Sequence, residues 1–213
     1  MSECTVESCT VETSDGVKLH TRLFKPREEI KEELVVVLVH PFSILGGRAS
    51  LTGFAEIKDV LAVCNWLSDT LSVNRILLVG SSAGIPLSLS SLDDFSLHGC
   101  VAPIAGSAVD QIEQVVGYVS LGYPFGMMAS ILFGRHNKAI LESPKPKLFV
   151  MGTKDGFTSV KQLNNKLSSA AGRAETHLIE GVSHFQMEGP AYDAQMVNLI
   201  LEFMHRCRII SRF

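Results

Sequence analysis

A serine, an aspartate and a histidine in this chain each sit in a turn that contains glycine. Ser82 lies in Gly80-Ser81-Ser82-Ala83-Gly84, Asp155 in Gly152-Thr153-Lys154-Asp155-Gly156, and His184 in Gly181-Val182-Ser183-His184-Phe185. A serine hydroxyl is a weak nucleophile until a neighbouring base takes its proton. Histidine is the side chain suited to that task near neutral pH, and a carboxylate behind it fixes the imidazole tautomer and stabilises the imidazolium. Gly80 and Gly84 suit a sharp turn, because a nucleophile on a tight elbow needs neighbours without side chains. The pattern is weak alone in a chain with 17 glycines, so its context must decide. A fourth element begins at His40-Pro41-Phe42-Ser43. Pro41 has no N–H, so Phe42 is the first amide there able to join that of Ala83 as an oxyanion hole.

The surrounding elements supply that context. Cys4–Thr13 and Val17–Phe24 alternate like strands around Ser14-Asp15-Gly16, which predicts a β-hairpin. Lys25–Glu33 reads as a polar linker, and Leu34–Val39 as a strand buried on both faces. Phe54, Ile57, Val60, Leu61, Cys64, Leu67 and Leu71 follow a helical period. Arg75–Gly80 is a second buried strand leading directly into the Ser82 turn, and Ala83–Leu92 is expected to be the helix after it. A strand is expected at Leu97–Ile104. The long apolar stretch Val109–Phe133, broken by glycine and proline, is open to two readings: a small helical lid over 109–137, or core helices. Lys147–Met151 and Glu175–Ile179 read as strands, and Val160–Ser169 and Tyr192–Cys207 as helices. Strands alternating with helices predict one α/β domain over residues 1–213, with a mostly parallel sheet covered on both faces. Ser82, Asp155 and His184 each follow a strand, and loops at the carboxyl ends of parallel strands converge on one edge of the sheet.

Composition narrows the function classes. With 46% hydrophobic and 19% charged residues, the chain resembles ordinary globular proteins. A net charge of −3 and a pI near 6.2, with lysines and arginines scattered, argue against nucleic acid as a partner. The longest aliphatic run, Leu34–Val39, is too short to span a bilayer. Five cysteines without a CxxC pair, and an acidic N-terminus unlike a signal peptide, predict buried thiols in a cytoplasmic protein. No phosphate loop, dinucleotide fingerprint or metal-ligand spacing occurs, so no cofactor or metal is expected. His20, His98, His136, His177 and His205 have no acidic or cysteine companions at ligand spacing and read as structural, as does His40.

These motifs, in the chain order Ser, Asp, His and with the His-Pro loop at 40–41, resemble the α/β-hydrolases. The His-Pro loop is similar to that of the small, capless, dienelactone-hydrolase-like branch, although Ser82 stands where that branch often carries cysteine. The resemblance implies a serine hydrolase acting on a small ester, thioester or amide. It also exposes a departure. Relatives carry another helix and strand after the His-Pro loop, whereas only fourteen residues, His40 to Gly53, separate Leu34–Val39 from the next helix. A helix–strand unit is therefore expected to be missing after Gly46. A chain so shortened would leave apolar sheet surface open to association into homo-oligomers. The competing reading is an impaired isoform, or a non-catalytic ligand-binding protein on the same fold.

Overall fold

The computed structural model describes residues 4–26, 34–39, 53–81, 101–187 and 189–209. The N-terminal hairpin forms as the turn chemistry predicts. Strands β1 (Cys4–Glu12) and β2 (Lys18–Pro26) pair antiparallel from Cys4↔Pro26 to Glu12↔Lys18. Gly16 takes φ +82 in the turn, a left-handed conformation open to glycine at little cost. Thr13 ties the turn together: its hydroxyl donates to Asp15 Oδ1 at 2.6 Å and accepts from the Val17 amide at 3.0 Å.

Five further strands make a wholly parallel sheet in the order β3 (Leu34–Val39), β4 (Arg75–Ser81), β5 (Val115–Leu121), β6 (Lys147–Gly152), β7 (Ala174–Ile179). Alternation sorts their side chains to two cores. Ile76, Leu78, Tyr118, Phe149 and Met151 face helices α1 (Phe54–Leu71), α2 (Val101–Ala108), α3 (Met127–Glu142) and α4 (Val160–Leu167). Leu77, Val79, Val119, Leu148 and Val150 face α6 (Asp193–Arg206), which contributes Met196, Leu199, Phe203 and Met204. A short helix, α5 (His184–Met187), lies between β7 and α6. Helix α1 runs over the residues its periodicity predicts, burying Ile57, Val60, Cys64 and Leu67. Among the described residues no helix is long and apolar enough to cross a membrane.

Several expectations need correction. The strand expected at Leu97–Ile104 is not formed at its described end, where Val101 opens helix α2 and Pro103 falls within the first turn. An apolar run of small residues reads alike as buried strand or buried helix, and here Ala102, Ala105 and Ala108, all fully buried, let the helix sit directly on the sheet. The range 109–137 is not a helical lid as a whole, because β5 at its centre is the middle strand of the sheet. Gly117 hid that strand. A side chain there would meet Ile209 Cδ1 at 3.0 Å and Leu77 Cδ1 at 3.3 Å, so close packing excludes the β-branched residue that would have marked it. The thiols are also less buried than expected. Cys64 is fully buried, but Cys4 is exposed and Cys9 and Cys207 are half-buried.

The helix expected at Ala83–Leu92 and the junction expected after Gly46 lie outside the described residues. Among the described residues β3 is the edge strand of its sheet, and neither hairpin strand pairs with it. Strand β3 is not buried on both faces as expected: Val36 and Leu38, on its α6-side face, are 46% and 60% exposed, because β3 lies at the end of the sheet order. Phe24 of the hairpin is 61% exposed.

Candidate active site

Asp155 and His184 meet. Two loops at the carboxyl edge of the sheet carry them, and backbone bonds zip those loops together. Thr153 donates to Ile179 O and Lys154 to Val182 O, each at 2.9 Å, and Gly181 donates to Thr153 Oγ1 at 2.8 Å. The Val182 carbonyl crosses so close to Gly152 that a Cβ there would collide with it, which accounts for glycine at the start of the acid loop. Nδ1 of His184 lies 2.6 Å from Asp155 Oδ2, and the two side chains are only 2% and 1% exposed. An ionised carboxylate can only accept, so Nδ1–H donates and Nε2 is left as the basic nitrogen.

The carboxylate is itself held. Asp155 Oδ1 accepts the amides of Phe157 at 2.8 Å and Thr158 at 2.9 Å, which fixes the rotamer that presents Oδ2 to the imidazole. Thr158 is 1% exposed. Its hydroxyl donates to Tyr123 O at 2.9 Å and accepts from the Phe125 amide at 2.7 Å, bolting the acid loop to the segment after β5. That segment includes Gly122, at φ +76. A Cβ on Gly122 would lie 2.8 Å from His184 Cε1 and 3.2 Å from its Nδ1, so the imidazole packs against bare backbone. Two phenyl rings meet it edge-on: Phe157 with centroids 4.7 Å apart, and Phe185 at 5.5 Å.

Strand β4 ends at Ser81, and Ser82, Ala83, Gly84 and Phe42 lie outside the described residues. Gly80 is described and needs to be glycine. A Cβ on it would stand 2.8 Å from Ala102 Cα, 3.2 Å from Ala105 Cβ and 3.2 Å from Tyr118 Oη. Tyr118 fixes this approach by donating to Ala102 O at 2.7 Å, and burial pushes its phenol well above the ordinary range, so it stays a neutral donor. The ladder register brings the regions together. Ser81 pairs with Leu121, the residue before Gly122, and His184 sits on Gly122.

Sequence reasoning missed Thr158, Phe157 and Gly122. The readable signal was Asp155-Gly156-Phe157-Thr158, because aspartate two or three residues before free amides makes a turn of its own. Gly122, directly after a strand that was itself overlooked, had no context to mark it. Asp110, in a single 3-10 turn (Val109–Gln111) before β5, accepts from Ser143 Oγ at 2.9 Å. His136, read as structural, is buried with Nδ1 2.6 Å from Ser107 Oγ.

No family model matches the chain, and no curated protein matches it by sequence. Solved structures do match by shape. An esterase of Pyrococcus furiosus superposes at TM-score 0.63 and 14% identity, over 95% of this chain and 93% of its own. An α/β serine hydrolase homologue from Coxiella burnetii matches at TM-score 0.65 and 17% identity, over 92% of this chain and 96% of its own. A serine hydrolase without a lid from Xanthomonas campestris matches at TM-score 0.62 and 15% identity, over 98% and 95%. At such identities the likeness speaks to fold, and it agrees with the parallel sheet, the leading hairpin and the alternating helices: this chain has the α/β-hydrolase fold.

Proposed function

We propose that the chain is a serine hydrolase that cleaves a small ester, thioester or amide through an acyl-enzyme on Ser82. The observation that carries the reading is the buried 2.6 Å pair of Asp155 and His184, standing beside the end of the strand that leads to Ser82. In this reading Nε2 of His184 takes the Ser82 hydroxyl proton as Oγ attacks the substrate carbonyl. The amides of Phe42 and Ala83 receive the oxyanion. Nε2 then returns the proton to the leaving oxygen, sulfur or nitrogen, and water, deprotonated by the same nitrogen, releases the acid. Shape neighbours named as esterases and serine hydrolases support the class. A fluorophosphonate probe tests it: labelling located at Ser82 and lost on mild unfolding is the expected result. A folded chain that does not label is a binding protein on this fold.

The same reading holds the chain to be one domain lacking a helix–strand unit between β3 and α1. Among the described residues no strand pairs with the outer edge of β3, and Val36 and Leu38 are exposed; both support it. Free thiols at Cys4, Cys9, Cys64 and Cys207 suit the reducing cytoplasm. Reinserting such a unit after Gly46 is expected to raise Tm and activity together and to abolish binding of a hydrophobic dye. A native chain that is monomeric and binds no such dye would remove the missing unit from the account.

A further inference from the structure

Phe185 is 55% exposed, follows the buried His184 in the chain, and packs its ring against two others. Its ring stands edge-on to the imidazole at 80°, and edge-on to Phe157 at 83° with centroids 5.9 Å apart. Phe157 closes the triangle at 68° to the imidazole. Three rings that meet edge-on, at 68–83° to one another, thus form a corner, and one of them, Phe185, is more than half exposed. Edge-to-face packing of this kind is favourable and directional, and it would extend naturally to a fourth ring or another apolar group.

Chemistry says which part of a substrate reaches that corner. On the hydrolase reading, on which this inference rests, Nε2 must donate to the leaving atom. Proton transfer requires that atom within about 3 Å of the nitrogen. The leaving group is therefore the substrate part compelled to lie beside His184, whereas the acyl part remains on Ser82. We propose that Phe185, backed by Phe157, is a specificity-determining residue that receives the leaving alcohol, and that the preferred substrates are esters of apolar, aromatic alcohols.

The test separates the two halves of the ester. Ethyl, cyclohexylmethyl and benzyl acetate vary the alcohol at constant acyl group; ethyl acetate and ethyl hexanoate vary the acyl group at constant alcohol. In the full chain, kcat/KM is expected to rise along the alcohol series, with benzyl highest. Phe185→Ala should cut the benzyl-to-ethyl ratio about fivefold, the scale of one aromatic contact, and Phe185→Tyr should keep it. The hexanoate-to-acetate ratio should not respond to either substitution. A benzyl-to-ethyl ratio unmoved by Phe185→Ala, or a loss confined to the acyl series, overturns the proposal. Fluorophosphonate labelling is run on every variant. A wild-type chain that fails to label sinks the hydrolase reading and the proposal with it, whereas a labelled chain with an unmoved ratio sinks the proposal alone.

Discussion

The imidazole of His184 occupies the space that a side chain at position 122 would need, with Cε1 2.8 Å from where the Cβ of Gly122 would be. Carbon atoms in ordinary contact stand about 3.5–4.0 Å apart, so even alanine must displace the ring by several tenths of an ångström. Asp155 holds one side of the ring and Phe157 another, and the displacement has to stretch the 2.6 Å bond. Gly122→Ala is expected to lower kcat about 100-fold, the scale of a misplaced catalytic group. Gly16→Ala shares the positive φ but has open space around it, so it reports backbone strain alone. Stability gives a second measure: with His184→Ala in the background, Gly122→Ala should cost far less in Tm than it does in wild type. Equal costs in both backgrounds would show that the ring does not set the constraint.

Ser82→Ala and His184→Ala should each abolish hydrolysis of p-nitrophenyl acetate, and combining them should cost little more. Groups that act as one unit lose their shared advantage at the first deletion. Additive losses, read from kcat, would speak against a shared mechanism.

Asp155→Asn keeps an oxygen for the amides of Phe157 and Thr158 but turns an NH₂ toward Nδ1. The imidazole must then place its proton on Nε2, the nitrogen needed as a base. A kcat loss on the order of 10⁴ is expected at nearly unchanged Tm. Near-normal turnover would show that His184 takes its orientation from elsewhere.

Thr158→Val keeps the shape of the side chain and removes the hydroxyl that serves both Tyr123 O and the Phe125 amide. Two buried hydrogen bonds to the backbone are then lost, at about 1–3 kcal/mol each. Urea unfolding should lose at least 2 kcal/mol, roughly. Because the bolt also holds the acid loop, kcat should fall while KM for a small acetate changes little.

Burial on the inner face of α1 pushes the Cys64 thiol up to about 12. In the unfolded chain it titrates near 8.5, roughly the free-cysteine value, so the unfolded state loses the proton first. The stabilisation is complete below that pH and drains away as pH rises toward the folded value, by up to about 1.4 kcal/mol per unit. Urea midpoints at pH 7 and pH 10 should therefore diverge more in wild type than in Cys64→Ala. An aromatic disulfide reagent should modify exposed Cys4 at once and Cys64 only on unfolding.

What could be read beforehand follows from where the signals are local. The hairpin turn, the period of α1 and the uniform apolarity of Leu34–Val39 and Arg75–Gly80 each carry their own evidence. Asp155 and His184 were legible because each sits in a glycine-bearing turn that follows a strand. Strand β5 was not, because Gly117 is set by the distant Ile209, and no local pattern records a contact that far along the chain. Helix α2 failed for a related reason: only the approach to Gly80 distinguishes its small residues from those of a buried strand.

The strand order of the parallel sheet is also the order of synthesis, β3 through β7. Each strand can dock on one already made, and none must wait for a later insertion between neighbours. Chains leave the ribosome N-terminal end first, so the sheet can grow by one edge as it is translated. Asp155 is delivered after the fourth of these strands and His184 after the last, with α6 still to cover the second face. A nascent chain stalled before residue 184 should already protect β4 and β5 amides from exchange. It should gain the acid–base pair only in its final stretch, a built-in delay between folding and reactivity.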